Sequence, residues 1–300
     1  MNYKEKLTCQ EGKMSRSILK EVAMKAARIR NAGKISLVGI ATLACLSLWI
    51  TPAWADKEAV AARKIIRKWQ DAVITVKMVI KQRMVYGGRE MSKGENKTEA
   101  TATVIDPSGL AVLSLFLTDP TSISNFFNEG QSEITDLKML LSDGKEVPAR
   151  IVLRDRDLDL ACIRPAEKLS KPIPALDISK DAKPDILDYI VVLTRLGKVA
   201  SRVPSVCLDR IQAIVKKPRT FYIPGPVAMD AGLGVPVFSL DGKVIGMLML
   251  RILPSKGMGM GNIFGGMSGM GMLPVVLPAE DILEVSKQVP EVTDEEKGKK

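Results

Sequence analysis

The side chains that could do chemistry in this chain are limited first by what the sequence lacks. Its 300 residues include no histidine, so no imidazole is available to activate a serine or a cysteine. Beyond the first 55 residues the thiols are Cys162 and Cys207. Ser114, Ser205 and Ser239 are hydroxyls that could pair with a lysine in a Ser-Lys centre, but no spacing singles out such a pair.

The acidic residues indicate no metal site. Asp155, Asp157 and Asp159 alternate along the chain and would share one face of a strand. They lack the glycine and the distal glutamate of a calcium-binding loop. No cluster of His, Cys, Asp and Glu has the spacing of a zinc site. We therefore expect neither a metal nor a cofactor.

One glycine-rich turn stands out in the second half of the chain. Residues 231–236 read AGLGVP. A strand-like segment follows at 237–240, then the hairpin pair Asp241-Gly242 and the apolar segment 244–246. Leu233 lies three residues before the proline of the turn.

This order of elements resembles the nucleophile loop of trypsin-like serine proteases of the HtrA/Deg type, whose turn reads Gly-Asn-Ser-Gly-Gly-Pro. Three earlier segments resemble other motifs of that family, in the family's order: TVIDPSG at 103–109, SDGKEVPA at 142–149 and DRDLDLA at 155–161. The resemblance covers about residues 73–290. It implies an all-β, chymotrypsin/trypsin-like fold of two six-stranded antiparallel β-barrels.

The same resemblance places three residues at the catalytic triad. Phe116 takes the histidine position, Asp159 the aspartate position and Leu233 the serine position. Leucine has no lone pair with which to attack and phenylalanine accepts no proton, whereas the triad needs both functions. Losing a complete triad typically removes ~10⁶ of the rate. The resemblance therefore implies a serine protease homolog without activity, a pseudoprotease.

The resemblance also predicts the surroundings of that site. The backbone N–H groups of Ala231 and Leu233 would correspond to an oxyanion hole, left as a carbonyl-binding nest. We expect Phe116 and Leu233 to form a packed apolar plug in the cleft between the barrels. Two interpretations of Asp159 stay open: a strand-end carboxylate that accepts backbone N–H bonds, or a carboxylate with a raised pKa in an apolar niche.

The first 55 residues have the pattern of a targeting segment. A basic region, 1–34, precedes an apolar run, 35–50, and the sequence TPAWA at 51–55. This pattern predicts a secretory signal peptide cleaved after Ala55, or an uncleaved signal anchor. We expect an exported protein, located in the periplasm, on the envelope or outside the cell. It would contact a membrane only through an uncleaved N-terminal segment.

Charge gives little support for nucleic-acid binding. The formal net charge is +10, but residues 1–55 carry nine basic and three acidic residues, which leaves +4 for the remainder. Aromatic residues make up 4% of the chain, too few to suggest stacking platforms. We expect a protein or peptide partner, which the sequence does not identify, and no nucleic acid.

Periodicity predicts the order of the elements. Val60, Ala61, Ile65 and Trp69 have the spacing of one helix face. Apolar residues predict a strand at 110–117, and polar residues predict loops at 89–98 and 119–135. The expected organisation is an N-terminal helix at 56–72, barrel one at about 73–171, a linker at 172–184, barrel two at about 185–290 with a short C-terminal helix at 280–288, and a charged tail at 291–300.

Residues 256–272 consist mostly of glycine and methionine. Three interpretations are open: a flexible spacer, a loop that contacts a peptide or membrane through soft methionine side chains, or a thioether site for copper(I). With the 119–135 loop, this segment supplies the candidate binding surface. Its residues are Phe126, Phe127, Met258, Met260, Phe264 and Met267.

Two further features bear on assembly. Cys162 and Cys207 could form a disulfide in an exported compartment, or remain buried thiols that behave as small hydrophobic groups. The residues after Gln288 are few and charged, so we expect none of the peptide-binding PDZ domain that active HtrA/Deg proteases usually carry.

The sequence therefore favours an exported pseudoprotease that binds or scaffolds other proteins through its cleft and loops. One alternative is a hydrolase with a Ser-Lys centre. The other is a structural protein of envelope assembly.

Overall fold

The computed structural model describes residues 56–86, 89–118, 130–252 and 272–290. Within these residues no helix is long and apolar enough to span a bilayer. Twelve strands form two closed antiparallel barrels, with the strand orders β1-β2-β3-β6-β5-β4 and β10-β11-β12-β9-β8-β7. This confirms the predicted fold class.

Barrel one follows helix α1 (Lys57–Trp69) and a short 3₁₀ turn (Gln70–Ala72). Its elements are β1 (Val73–Tyr86), β2 (Arg89–Val104), β3 (Ala111–Ser114), the helical turn α2 (Leu115–Thr118), β4 (Gly130–Leu140), β5 (Glu146–Asp155) and β6 (Leu160–Pro165).

Barrel two ends in a short C-terminal helix. Its elements are β7 (Tyr189–Arg195), a 3₁₀ turn (Lys198–Ala200), β8 (Pro204–Val215), β9 (Phe221–Pro224), the helical turn α3 (Pro226–Met229), β10 (Val235–Ser239), β11 (Val244–Ile252), β12 (Met272–Pro278) and α4 (Ala279–Ser286).

Strands β6 and β7 are buried on both faces. Successive side chains of a strand point to opposite sides, and here both sides are apolar. Ala161 and Ile163 fill barrel one, whereas the neighbouring Leu160 and Cys162 join a separate core that also contains Val191 from β7. This shared core lies between the barrels and under α1 and α4, so neither barrel buries its apolar surface alone.

Helix α1 begins where its sequence predicts. The Asp56 side chain accepts a hydrogen bond from the Ala59 N–H at 3.1 Å, the usual role of an N-cap. The predicted buried face is wrong in part, because Val60 is 52% exposed. Ala62 and Ile65 are the buried residues of the helix, so the face that packs on the shared core is rotated from the expected one.

The predicted loop at 89–98 is wrong. These residues belong to β2, which pairs with β1 from Val73 opposite Thr103 to Tyr86 opposite Arg89. The hairpin extends beyond the barrel, where both faces of a ribbon meet solvent. Polar residues on both faces leave no apolar alternation, which is the signal that identifies a strand. Likewise, β4 begins at Gly130 inside the predicted 119–135 loop; residues 119–129 lie outside the described part of the chain.

Three polar contacts tie the barrels together away from the shared core. The Arg195 guanidinium of β7 donates to the carbonyls of Gln70 and Val73, both at 2.8 Å. In the other direction, Thr103 Oγ1 of β2 donates to the carbonyl of Gly234 at 2.9 Å. These contacts fix the 231–236 turn of barrel two against barrel one.

Gly234 makes that approach possible, and we expect Gly234→Ala to destabilise the protein by at least about 2 kcal/mol. Its φ is +77°, and a Cβ there would lie 2.7 Å from the Thr101 carbonyl oxygen and 3.0 Å from the Leu113 Cα. Both neighbours are backbone and cannot rotate away. Urea unfolding of the two proteins measures the loss.

Gly197→Ala is the matched control. Its φ is −71° and nothing lies within 4 Å of the added Cβ, so its free energy of unfolding should stay close to that of the parent chain. An equal loss in both variants would show that the turn does not depend on close contact at Gly234.

Candidate functional site

Asp159 lies at the start of β6, after a turn that its neighbour stabilises. Asp155 Oδ1 accepts hydrogen bonds from the N–H groups of Asp157 and Leu158, both at 3.0 Å. Asp159 itself has a φ of +55°, a left-handed conformation that aspartate tolerates better than most residues. The turn places its side chain in the interior, where the residue is 8% exposed.

Three donors converge on the Asp159 carboxylate. Ser114 Oγ donates to Oδ2 at 2.5 Å, the Leu250 N–H donates to Oδ2 at 2.7 Å and the Phe116 N–H donates to Oδ1 at 2.8 Å. Ser114 ends β3 of barrel one, and Leu250 belongs to β11 of barrel two. One carboxylate therefore connects the two barrels.

Burial and hydrogen bonding act in opposite directions on this carboxylate. Burial raises the pKa of Asp159 from its ordinary value of 3.8 to about 6, and the hydrogen bonds from Ser114, Leu250 and Phe116 oppose the rise. The two interpretations that the sequence left open thus describe the same residue. It accepts backbone N–H bonds, and its pKa is raised in an apolar site.

Phe116 lies in α2, so the predicted strand 110–117 ends early, at Ser114. The chain turns there because Asp159 captures the next two N–H groups: Leu115 donates to the Asp159 backbone carbonyl at 2.8 Å, and Phe116 donates to the carboxylate. The aspartate thus binds the backbone of the residue at the histidine position.

Leu233 lies at the tip of the 231–236 turn, between two glycines of positive φ, Gly232 at +95° and Gly234 at +77°. Its side chain is half-buried and packs on the core of barrel two. Phe116 is absent from all three apolar clusters formed by the described residues. The predicted plug of Phe116 and Leu233 is therefore wrong, because only Leu233 is packed into an apolar core.

The predicted nest of N–H groups is also incomplete. The Ala231 N–H donates to the Ala228 carbonyl at 3.1 Å, closing the turn after α3. Its carbonyl accepts a hydrogen bond from Thr194 Oγ1 at 2.7 Å. Because the chain itself uses the Ala231 N–H, this group cannot join that of Leu233 in binding a carbonyl oxygen.

An open pocket of about 450 Å³ lies beside the turn. Barrel one contributes Thr75 and Glu99–Thr101, and barrel two contributes Thr194 and Val227 among others. Glu99 forms a two-point ion pair with Arg202 across the barrels, at 2.5 and 3.0 Å. That pair lowers the pKa of Glu99.

The remaining sequence candidates fall outside this arrangement. Cys162 and Cys207 are free thiols, so the candidate disulfide is not formed. Cys162 lies in the shared core, whereas Cys207 packs against the interior of barrel two. The described residues contain no group of three His, Cys, Asp or Glu side chains that could hold a metal ion. Phe126, Phe127, Met258, Met260, Phe264 and Met267 lie outside the described part of the chain.

Two partners of Asp159 were missed by sequence reasoning. Ser114 had a usable signal, since a hydroxyl inside an otherwise apolar strand needs a buried partner. Leu250 had none, because it contributes a backbone N–H that any residue type would supply. Its position depends on how the barrels dock, which no local pattern reports.

Comparison with known proteins agrees with this geometry. A family model described as a trypsin-like peptidase domain matches residues 100–247, the segment from β2 to β11. The chain has a trypsin-like fold of the HtrA/Deg type. Over 171 residues it is 26% identical to the putative protease Do-like 14 of Arabidopsis thaliana, which covers 54% of this chain and 38% of that protein. This trypsin-like chain thus spans less than half the length of that relative.

Among solved structures, the trypsin-like chain is similar to an HtrA-type protease, AlgW, solved with a tripeptide. The TM-score is 0.46 at 15% sequence identity, and the match covers 76% of this chain and 62% of that one.

The raised pKa of Asp159 predicts a pH dependence of stability. The folded chain holds this proton up to about pH 6 and the unfolded chain only up to about pH 4. The contribution of Asp159 to the free energy of unfolding therefore falls as pH rises through that window, by about 3 kcal/mol in all.

Asp159→Asn isolates that contribution, because asparagine does not titrate while the other carboxylates still do. We expect the difference in unfolding free energy between parent and variant to shift by about 3 kcal/mol in the variant's favour between pH 4 and pH 7. Urea unfolding at four or five pH values measures it. A difference that stays constant with pH would contradict the raised pKa.

Proposed function

We propose that this chain is an exported, catalytically inactive trypsin-like protein that binds extended segments of other proteins in the cleft between its barrels. One observation carries the proposal. The double barrel and an open cleft are kept, while the triad positions hold Phe116 and Leu233, and the Asp159 carboxylate is occupied by three donors of its own chain.

The chemistry of the triad supports inactivity. A serine protease needs a nucleophile, an imidazole to take its proton, a carboxylate to orient the imidazole and donors for the oxyanion. Leu233 and Phe116 supply neither of the first two functions. The Ala231 N–H is already bonded to Ala228, which removes one oxyanion donor. A fold alone does not carry the activity of its relatives.

The serines also give little support for a Ser-Lys hydrolase. Ser114 is fully buried and donates its hydrogen bond to Asp159. The Ser239 hydroxyl bonds to the Asp241 carboxylate and to the backbone carbonyl of Lys243. Neither hydroxyl contacts a lysine amine, the base that such a centre would need.

The edge of β2 supports peptide binding. β2 pairs with β1 along its length but with β3 only at Thr103 and Val104. Within the described residues, Glu99–Thr101 therefore keep one edge without a strand partner, and the same three residues line the 450 Å³ pocket. An extended peptide adds to such an edge through main-chain hydrogen bonds while a side chain enters the neighbouring pocket.

Export is supported by the sequence of residues 1–55, in which a basic region, an apolar run and a small-residue site follow one another. The cleft would then meet unfolded or extended proteins outside the cytoplasm.

The test uses the full-length chain and fluorescently labelled, reduced and alkylated casein. We expect saturable binding by fluorescence anisotropy and no new casein peptides by mass spectrometry after the same incubation. Leu233→Ser should also give none, because it restores a hydroxyl without a base. Trypsin on the same casein is the positive control. Cleavage that scales with the concentration of the parent chain would contradict the proposal.

The binding half of the proposal has a matched pair of variants. Val227 lines the pocket and is 53% exposed, and Val60 on α1 is 52% exposed. Because both side chains are half in solvent, Val→Asp should leave the fold intact at either position. We expect Val227→Asp to weaken casein binding about tenfold and Val60→Asp to leave it unchanged. Equal effects would place the binding surface elsewhere.

A further inference from the structure

A second concave surface lies on the chain and shares no lining residue with the pocket between the barrels. It has a volume of about 880 Å³. Its walls are the β2–β3 turn (105–110), the segment that follows β6 (164–172) and the end of α4 with the residues after it (283–289). We call it the basic groove. No part of the proposed peptide cleft uses it.

The floor of the basic groove is apolar. Leu110 is 5% exposed and Ile178 is 4% exposed, and the partly buried Leu169 and Leu283 continue the apolar surface. Such a floor favours a ligand with apolar groups of its own, because covering it removes apolar surface from water.

The rim of the groove carries an excess of positive charge. Arg164, Lys168, Lys171 and Lys287 face two carboxylates, Asp106 and Glu167. Asp106 is partly occupied, since its Oδ1 accepts the Ser108 N–H at 2.8 Å. Within the described part of the chain, the three lysines form no ion pair. Their charges are therefore free to meet an anionic ligand.

Arg164 adds a buried donor at the groove. Its Nε is inaccessible to solvent and has no hydrogen-bond partner among the described residues, the one buried side-chain nitrogen or oxygen of which this is true. A buried donor without a partner is uncommon and costs free energy. A carboxylate satisfies such an N–H well, because arginine and carboxylate match in charge and geometry.

We propose that the basic groove binds an acidic peptide segment that also carries apolar side chains, such as alternating glutamate and leucine. Carboxylates of the segment bind Arg164 and the lysines at the rim, and the apolar side chains cover Leu169 and Leu283. A phosphate or a nucleic-acid backbone would use the charge but leave the apolar floor in water, which is why a peptide of mixed character fits best.

The probe is a fluorescein-labelled peptide, acetyl-ELEELE-amide, titrated with the full-length chain and followed by anisotropy. We expect saturable binding that weakens when the ionic strength rises from about 0.05 M to about 0.3 M, because salt screens the rim charges. The charge-reversed peptide acetyl-KLKKLK-amide should not bind. Absence of saturable binding by the acidic peptide would overturn the proposal.

Two variants locate the binding. Lys168→Glu/Lys171→Glu reverses two exposed charges, and we expect a loss of at least about tenfold in affinity. Arg164→Gln removes the buried donor and should cost about tenfold. Lys216→Gln, on an exposed lysine outside the groove, is the control and should change nothing. Melting curves by circular dichroism check the fold, and the lysine variants, being exposed, keep the test valid if Arg164→Gln unfolds.

Competition separates this proposal from others. If octanoate binds in an Arg164-dependent way while the peptide does not bind, the groove takes small amphiphilic carboxylates and the proposal is overturned. If Val227→Asp weakens the acidic peptide as much as the lysine reversal does, the peptide is binding in the cleft between the barrels, and the groove proposal fails while the proposed function stands.

Discussion

The Asp159 carboxylate is the interaction on which the relation between the two barrels depends. It accepts one hydrogen bond from the hydroxyl that ends β3, one from the backbone of α2 and one from the backbone of β11 in the other barrel. A buried carboxylate is costly unless hydrogen bonds replace the water it loses, and three charge-assisted bonds do so here. The same burial raises its pKa to about 6. Removing the side chain would leave two backbone N–H groups without an acceptor in the interior.

Other contacts between the barrels reinforce this connection. The shared apolar core takes one face of β6 and one face of β7, Arg195 reaches back to the start of barrel one, and Gly234 lies against β2 and β3 without a Cβ. In a protease these elements hold a nucleophile and a base at reacting distance. Here they hold Leu233 and Phe116, so the same rigidity keeps an open cleft in place and positions no reactive group within it.

Much of the fold follows from the sequence because its signals are local. Turn residues such as Asp106-Pro107 and Asp241-Gly242 mark the hairpins, and the resemblance of four motifs in order gave the two barrels and the position of Asp159. The misses share a physical cause. Residues 89–98 form a ribbon exposed on both faces, so they carry no apolar alternation. Phe116 leaves its strand because Asp159, 43 residues later, takes its N–H. The Ala231 N–H is used by a turn that the glycine pattern alone does not specify.

The account holds that the carboxylate of the triad position ties the barrels together, and amide hydrogen exchange tests this most directly. Asparagine at position 159 has one acceptor oxygen instead of two, so the Phe116 N–H and the Leu250 N–H cannot both keep their bonds. In Asp159→Asn at neutral pH we expect at least one of these two amides to exchange about tenfold faster than in the parent chain. The Val192 amide, inside barrel two, is the internal reference. If both amides keep their parental exchange rates relative to Val192, the carboxylate is not the connection described here.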